Sequence, residues 1–273
     1  MLKAWRAYRS LNEAQKEIIE QKQIKLNRPI DETIETLKGI ADMDQHMTWS
    51  AGGVGCTMVL AVIIGFFGSM IGNGMGLPGP VITLWLIICA GFFLVPFILY
   101  RSTRGIDVSD NLRVSALPIL YVFRDDIDPQ QPVELTLDLR QPMAKEKLLR
   151  EVEPREKTKE KYYSDPWMAA AAVLVDGTRL RWSVTDTIRH RSVTKRGRSG
   201  KWKTKTKESK KCDIDVAVTV KNKAYEVQGG EAGEKKTTLT ASKTIKLADV
   251  KPVDPKVIIE VIASLFQRVS PAK

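Results

Sequence analysis

The densest candidate chemistry in this chain is electrostatic. Between residues 189 and 211 stand eleven lysines and arginines against one acid, Glu208. The whole chain of 273 residues carries a formal net charge of +11, so this stretch holds nearly all of it. Basic side chains at such density attract anions: phosphate groups, carboxylates or anionic lipid. The flanking residues predict how they are presented. Leu180, Trp182, Val184 and Ile188 are even-numbered, and so are Ile214, Val216, Val218 and Val220. Gly197-Arg198-Ser199-Gly200 lies between the two runs and reads as a turn. Directly opposed residues of a hairpin share a face. Putting all eight apolar residues on one face therefore requires an odd-length loop or a bulge. A three-residue loop with glycine at its left-handed position satisfies this.

That register gathers Arg189, Arg191, Lys195, Lys201, Lys203, Lys205 and Lys207 on the opposite face. These seven, with Trp202 beside them, are the candidate anion- or partner-binding residues. Like charges directly opposed destabilise a hairpin, so the pattern implies something anionic there. Membrane lipid headgroups and an acidic protein are the leading partners. Nucleic acid or a nucleotide, with a base stacked on Trp202, comes after them. The rival reading is a solvated, projecting hairpin whose lysines prevent edge-to-edge aggregation.

Other chemistry is absent from the sequence. The two histidines, His46 and His190, are far apart, and there is no CxxC or HExxH motif among Cys56, Cys89 and Cys212. Gly74, Gly76 and Gly79 match GxGxxG, but no strand signal precedes them. Arg198-Ser199-Gly200-Lys201 lacks the upstream glycine and the Ser/Thr of a phosphate loop. No catalytic residue, metal site or cofactor is expected, and the chain reads as non-enzymatic.

The elements that must position the basic stretch divide the chain into three parts. Residues 1–48 hold eight basic and eight acidic residues and read as an arm of two amphipathic helices. Without an excess of positive charge this arm suits a protein contact better than a lipid surface. Trp5 and Tyr8 are its candidate contact residues. From Trp49 to Tyr100 there is no Asp, Glu, Lys or Arg. Val81–Tyr100 is long enough for a membrane span, and Val54–Ile71 is a weaker, glycine-rich one. Residues 49–100 therefore predict a two-helix transmembrane hairpin, turned at Gly72–Pro80. Gly68, Gly72 and Gly76 form two GxxxG steps, suited to oligomer packing or to packing within the hairpin. Arg101 and Arg104 place both termini in the cytoplasm by the positive-inside rule, in an integral membrane protein, read as one of a prokaryotic inner or plasma membrane. Thr57, Ser69 and Thr83 are the polar residues that could line an oligomeric pore.

Residues 101–273 carry 35 basic and 24 acidic residues and are dominated by strand signals. They predict a mainly antiparallel β-sandwich or barrel, with Asp254–Val269 as a C-terminal amphipathic helix. Met143–Asp165, crowded with charge, reads as a mobile insertion or a solvated helix broken at Pro154. The fold class expected is thus membrane-anchored α+β. The function expected is a membrane-anchored structural or assembly subunit, by self-association or with protein partners, whose basic hairpin meets an anionic partner or lipid. The alternative is an oligomeric membrane effector or pore gated by an anionic ligand such as a nucleotide.

Overall fold

The structure, a computed structural model, describes residues 2–198 and 200–272. The side chains of 2, 4, 47–54, 57, 58, 96, 99, 100 and 102–104 lie outside the described set. Those of Trp49, Thr57, Pro96, Tyr100 and Arg104 are therefore not placed here. The chain forms two compact units, Met1–Glu20 with Gly39–Asp107, and Gln21–Lys38 with Val108–Lys273.

The first unit is helical. The helices α1 (Leu2–Ser10) and α2 (Glu13–Gln21) are separated at Leu11-Asn12. A reciprocal cap makes the break: the Gln15 amide donates to Asn12 Oδ1 (2.8 Å), and the Asn12 amide donates to Gln15 Oε1 (3.1 Å). After the strand β1 (Gln23–Arg28), α3 (Ile30–Gly74) runs as one helix of 45 residues. It turns through residues 75–78 into α4 (Gly79–Arg104).

A helical hairpin thus occupies the predicted place, but the membrane reading is corrected. Among the described residues, no helix is long and apolar enough to cross a membrane. A span needs about 20 consecutive apolar residues. The early turns of α3 also carry Asp31, Glu32, Glu35, Lys38, Asp42 and Asp44 in the same continuous helix. The transmembrane hairpin, the membrane anchor and the integral-membrane location with two cytoplasmic termini are accordingly not supported.

The glycine ladder packs within the hairpin. A Cβ at Gly68 would lie 2.8 and 2.9 Å from ring carbons of Trp85 on α4. One at Gly65 would lie 3.2 Å from Cys89 Cβ, and one at Gly72 would be 3.4 Å from Leu77. Gly76 sits in the turn with φ +69°, facing open space. Gly68→Leu should therefore force the helices apart and destabilise the protein by about 1–3 kcal/mol. Gly74→Ala, where nothing lies within 4 Å of the new methyl, provides the matched control. Melting temperatures of the two variants, with Trp85 emission as a local reporter, check this. Equal melting would refute it.

The second unit is built on an eight-stranded antiparallel sheet in the order β1-β2-β4-β5-β6-β9-β8, with β3 also on β4. The strands are β2 (Val133–Asp138), β3 (Leu148–Arg155), β4 (Thr158–Val173), β5 (Arg179–Arg196), β6 (Trp202–Lys221), β8 (Glu231–Ala232) and β9 (Lys236–Leu247). A small sheet pairs β7 (Tyr225–Val227) with β10 (Val269–Pro271). The fold is therefore mixed helix and antiparallel sheet. Its large sheet follows one hydrogen-bonded path from β1 to β8.

The core follows from alternation. Leu135, Ala170, Trp182 and Val216 are buried successive partners across β2, β4, β5 and β6, flanked by half-buried Leu26 on β1 and Ala241 on β9. Helices α5 (Leu117–Phe123) and α6 (Pro255–Phe266) pack in this unit, α6 against β6 and β9. A π-helical turn, Leu112–Ala116, leads into α5, and Ser115 Oγ ties it down by donating to the Val253 carbonyl (2.6 Å). Asp254 caps α6 by accepting from the Lys256 amide (2.9 Å). The stretch 143–165 is not the solvated helix expected: after a 3-10 turn at Lys145–Lys147 it forms β3 and the first half of β4, paired antiparallel.

Candidate functional site

The basic hairpin is β5 and β6. From Arg179↔Thr219 to Arg196↔Trp202 the register is unbroken, and paired numbers always sum to an even value. The Gly197 amide donates to the Lys201 carbonyl (2.7 Å), which continues the even sum and leaves an odd-length loop of three positions, 198–200, as the alternation requires. Gly200 supplies the left-handed position with φ +75°. Leu180, Trp182, Val184, Ile188, Ile214, Val216, Val218 and Val220 are all buried. Neighbouring strands leave the hairpin before its tip. β4 pairs with β5 only as far as Thr158↔Val193, and β9 pairs with β6 only from Lys210 onward. The last rungs therefore project as a two-stranded ribbon.

On the odd-numbered face Arg191 is opposite Lys207, Val193 opposite Lys205, and Lys195 opposite Lys203. This face and the β3–β4 turn enclose a cleft of about 910 Å³. The ribbon contributes Arg191, Lys195, Lys203, Lys205 and Lys207. The sequence reading missed three further cations of the lining, Arg155 and Lys157 of the turn and Arg196. Lys157 stands at the turn with φ +62°. The one acid of the lining, Glu156, is 3.3 Å from Lys157. No carboxylate lies within ion-pair distance of Lys195, Lys203, Lys205 or Lys207 among the described residues.

Arg189 is differently employed. It forms a two-pronged hydrogen bond with Glu160 (2.6 and 3.0 Å), whose side chain is only 5% exposed. Arg191 approaches the same carboxylate at 3.3 Å, and the Tyr162 hydroxyl donates to it at 2.9 Å. The hydrogen bond from Arg189, then that from Tyr162, hold the Glu160 carboxyl below the usual range. Glu160 thus fixes the base of the cleft and neutralises part of its charge. Lys201 follows the loop and does not line the cleft.

Trp202 also falls outside the cleft. It pairs with Arg196, is 56% exposed, and has Lys157 Nζ 4.4 Å from its ring centroid. With Lys157, Lys159, Ser192 and Thr194 it lines a smaller groove of about 310 Å³. The lysine row and the indole therefore do not converge on one ligand.

The other candidates are placed as follows. Trp5 and Tyr8 meet edge to face on α1 with ring centroids 5.8 Å apart. Ser69 donates to the Phe66 carbonyl (2.8 Å) and Thr83 to the Gly79 carbonyl (3.0 Å). Both hydroxyls are thus satisfied by their own helices. Among the described residues no group of three His, Cys, Asp or Glu side chains is arranged to hold a metal.

A second charged cluster lies beneath the sheet. Asp165 and Asp186 are cross-strand partners, and Asp186 is also paired with Cys212. Lys147 Nζ contacts Asp165 at 2.7 Å and Asp138 at 3.4 Å, and Lys210 Nζ contacts Asp186 at 2.9 Å. Asp165, Asp186, Lys147 and Lys210 are all at least 95% buried. Burial, then the nearby Asp186 charge, push the Cys212 thiol well up, so this cysteine is inert as a nucleophile. The signal for this cluster was present: Asp186 occupies the even-numbered, inward position between Val184 and Ile188.

No family model, curated protein or solved structure matches this chain.

Proposed function

We propose that this chain is a non-enzymatic assembly subunit that docks through its basic β-ribbon onto an anionic partner. The observation that carries the reading is the cleft. Several lysines there share a concave surface without carboxylate partners, and Arg191/Lys207 and Lys195/Lys203 are set directly opposite each other. Opposed like charges cost stability, and a bound anion offsets that cost. The assembly part draws on the helical hairpin. It leaves Phe66, Met70 and Phe92 more than 60% exposed. Apolar surface on that scale is characteristic of interaction sites.

Retention on immobilised heparin, a generic polyanion, tests the reading. Wild-type protein should elute at clearly higher salt than Lys203→Gln/Lys205→Gln/Lys207→Gln. A control with the same charge loss, Lys223→Gln/Lys235→Gln/Lys236→Gln, lies away from the tip and should elute with the wild type. Equal elution of the two triple variants would show that net charge alone, and not the ribbon, holds the polyanion.

A further inference from the structure

The shape of the cleft and the spacing of its cations narrow the class of anion. We propose that the cleft holds the sugar-phosphate backbone of a single nucleic-acid strand, without reading its sequence. The inference rests on the polyanion reading above and goes further by naming the partner.

Three observations converge on it. The first is spacing. Lys203, Lys205 and Lys207 follow one another at every second residue of an extended strand, about 6.7 Å apart. This is comparable to the step between successive phosphates of an extended nucleic-acid strand. It is too wide for the adjacent phosphates of a pyrophosphate chain. Lys195 and Arg191 on the facing strand form a second file that closes the other side of the row.

The second is composition. Protein–protein interfaces are depleted in lysine and centred on apolar or aromatic anchors. Nucleic-acid interfaces are polar and strongly positive. Here the lining is dominated by lysine and arginine, and Val193 is its sole aliphatic side chain. The third is concavity. A bilayer surface is broad and cannot enter a cleft between the β3–β4 turn and the ribbon, whereas a single strand can. Trp202 points away from the row and is already covered on one face by Lys157. The cleft therefore offers no stacking platform, and binding is to the backbone alone.

The test uses the full chain and a fluorescently labelled oligothymidylate, read by anisotropy across a salt series. Binding should weaken linearly in log Kd against log salt. Lys203→Gln/Lys205→Gln/Lys207→Gln should reduce the slope by about 2, roughly 0.7 per cation removed. The corresponding Lys→Arg triple should keep the wild-type slope, which separates lost charge from misfolding. The control triple at 223, 235 and 236 should also keep it. Oligoadenylate should bind within about twofold of oligothymidylate, since no base is read.

Competition separates this inference from the one beneath it. If polyglutamate or phosphatidylserine vesicles displace the oligonucleotide as well as unlabelled strand does, charge for charge, the nucleic-acid assignment is overturned and the polyanion reading stands. If heparin binds and the oligonucleotide does not, the result is the same. If neither binds, both readings fail. A slope change as large in the control triple as in the cleft triple also overturns the assignment.

Discussion

Lys210→Met should lower the unfolding free energy by about 3–5 kcal/mol, a far larger loss than any exposed lysine of the ribbon would cause. Lys210 Nζ donates to Asp186 Oδ2 at 2.9 Å, and both side chains are only 1% exposed. Removing the ammonium leaves a carboxylate buried beside Cys212 and across from Asp165, with its charge uncompensated. The double variant Lys210→Met/Asp186→Leu removes both charges and should recover most of the loss, because a buried pair is often no more stable than an apolar replacement. Denaturant unfolding of the wild type, the two single variants and the double variant yields the coupling free energy directly. A single-variant loss below about 1 kcal/mol would mean that the Asp186 carboxylate finds another partner when Lys210 is absent, and the buried-pair account would be wrong.

How much of this could be read from the sequence depended on what holds each element in place. The β5–β6 register was legible because eight apolar residues at even positions leave one solution, and the odd-length loop follows from it. The C-terminal helix starting at Asp254 was legible because its apolar residues recur as one stripe. The β3–β4 hairpin was not. Every residue of β3 is exposed. Its pairing is marked by cross-strand ion pairs instead of apolar alternation, Glu151 with Lys161 (3.2 Å) and Glu153 with Lys159 (3.0 Å). A stretch rich in Lys and Glu carries no hydrophobic period to detect. That omission also hid one wall of the candidate site, since Arg155 and Lys157 reach the cleft only because the hairpin exists. β1 was missed for another reason. Its alternation, Ile24 and Leu26, is only two residues long and lies between strong helical patterns. The glycine ladder was seen, but spacing alone could not say whether its partner was another copy or α4.

The buried cluster also makes stability depend on pH with a sign opposite to that of most carboxylates. Burial is the largest influence on Asp165, outweighing the hydrogen bond from Lys147, and its pKa is pushed up to about 6 from an ordinary value of 3.8. Its Oδ2 has no hydrogen-bond partner among the described residues. Asp138 moves the other way: burial pulls it up, but hydrogen bonds from Arg140 and the charge of Lys147 leave it below the ordinary value. Arg140, Lys147 and Lys210 face Asp138, Asp165 and Asp186, so the cluster is formally balanced with Asp165 ionised, and burial of its carboxylate is what disfavours that form. The folded state therefore holds this proton more tightly than the unfolded chain does. The resulting stabilisation is fully present below pH 3.8, declines as pH rises and is lost once pH passes about 6. Its full size is about 3 kcal/mol. Asp138, like Glu160, contributes in the reverse direction and loses its contribution on acidification. Asp165→Asn isolates the effect, because asparagine stays neutral throughout. The stability of the wild type relative to this variant should fall by about 3 kcal/mol between pH 3.5 and pH 7, most steeply between 4 and 6. Carbon-detected NMR titration of the aspartate carboxyls should show one midpoint near 6. A pH-independent difference, or an Asp165 midpoint near 4, would mean that Lys147 fully compensates the carboxylate for its burial.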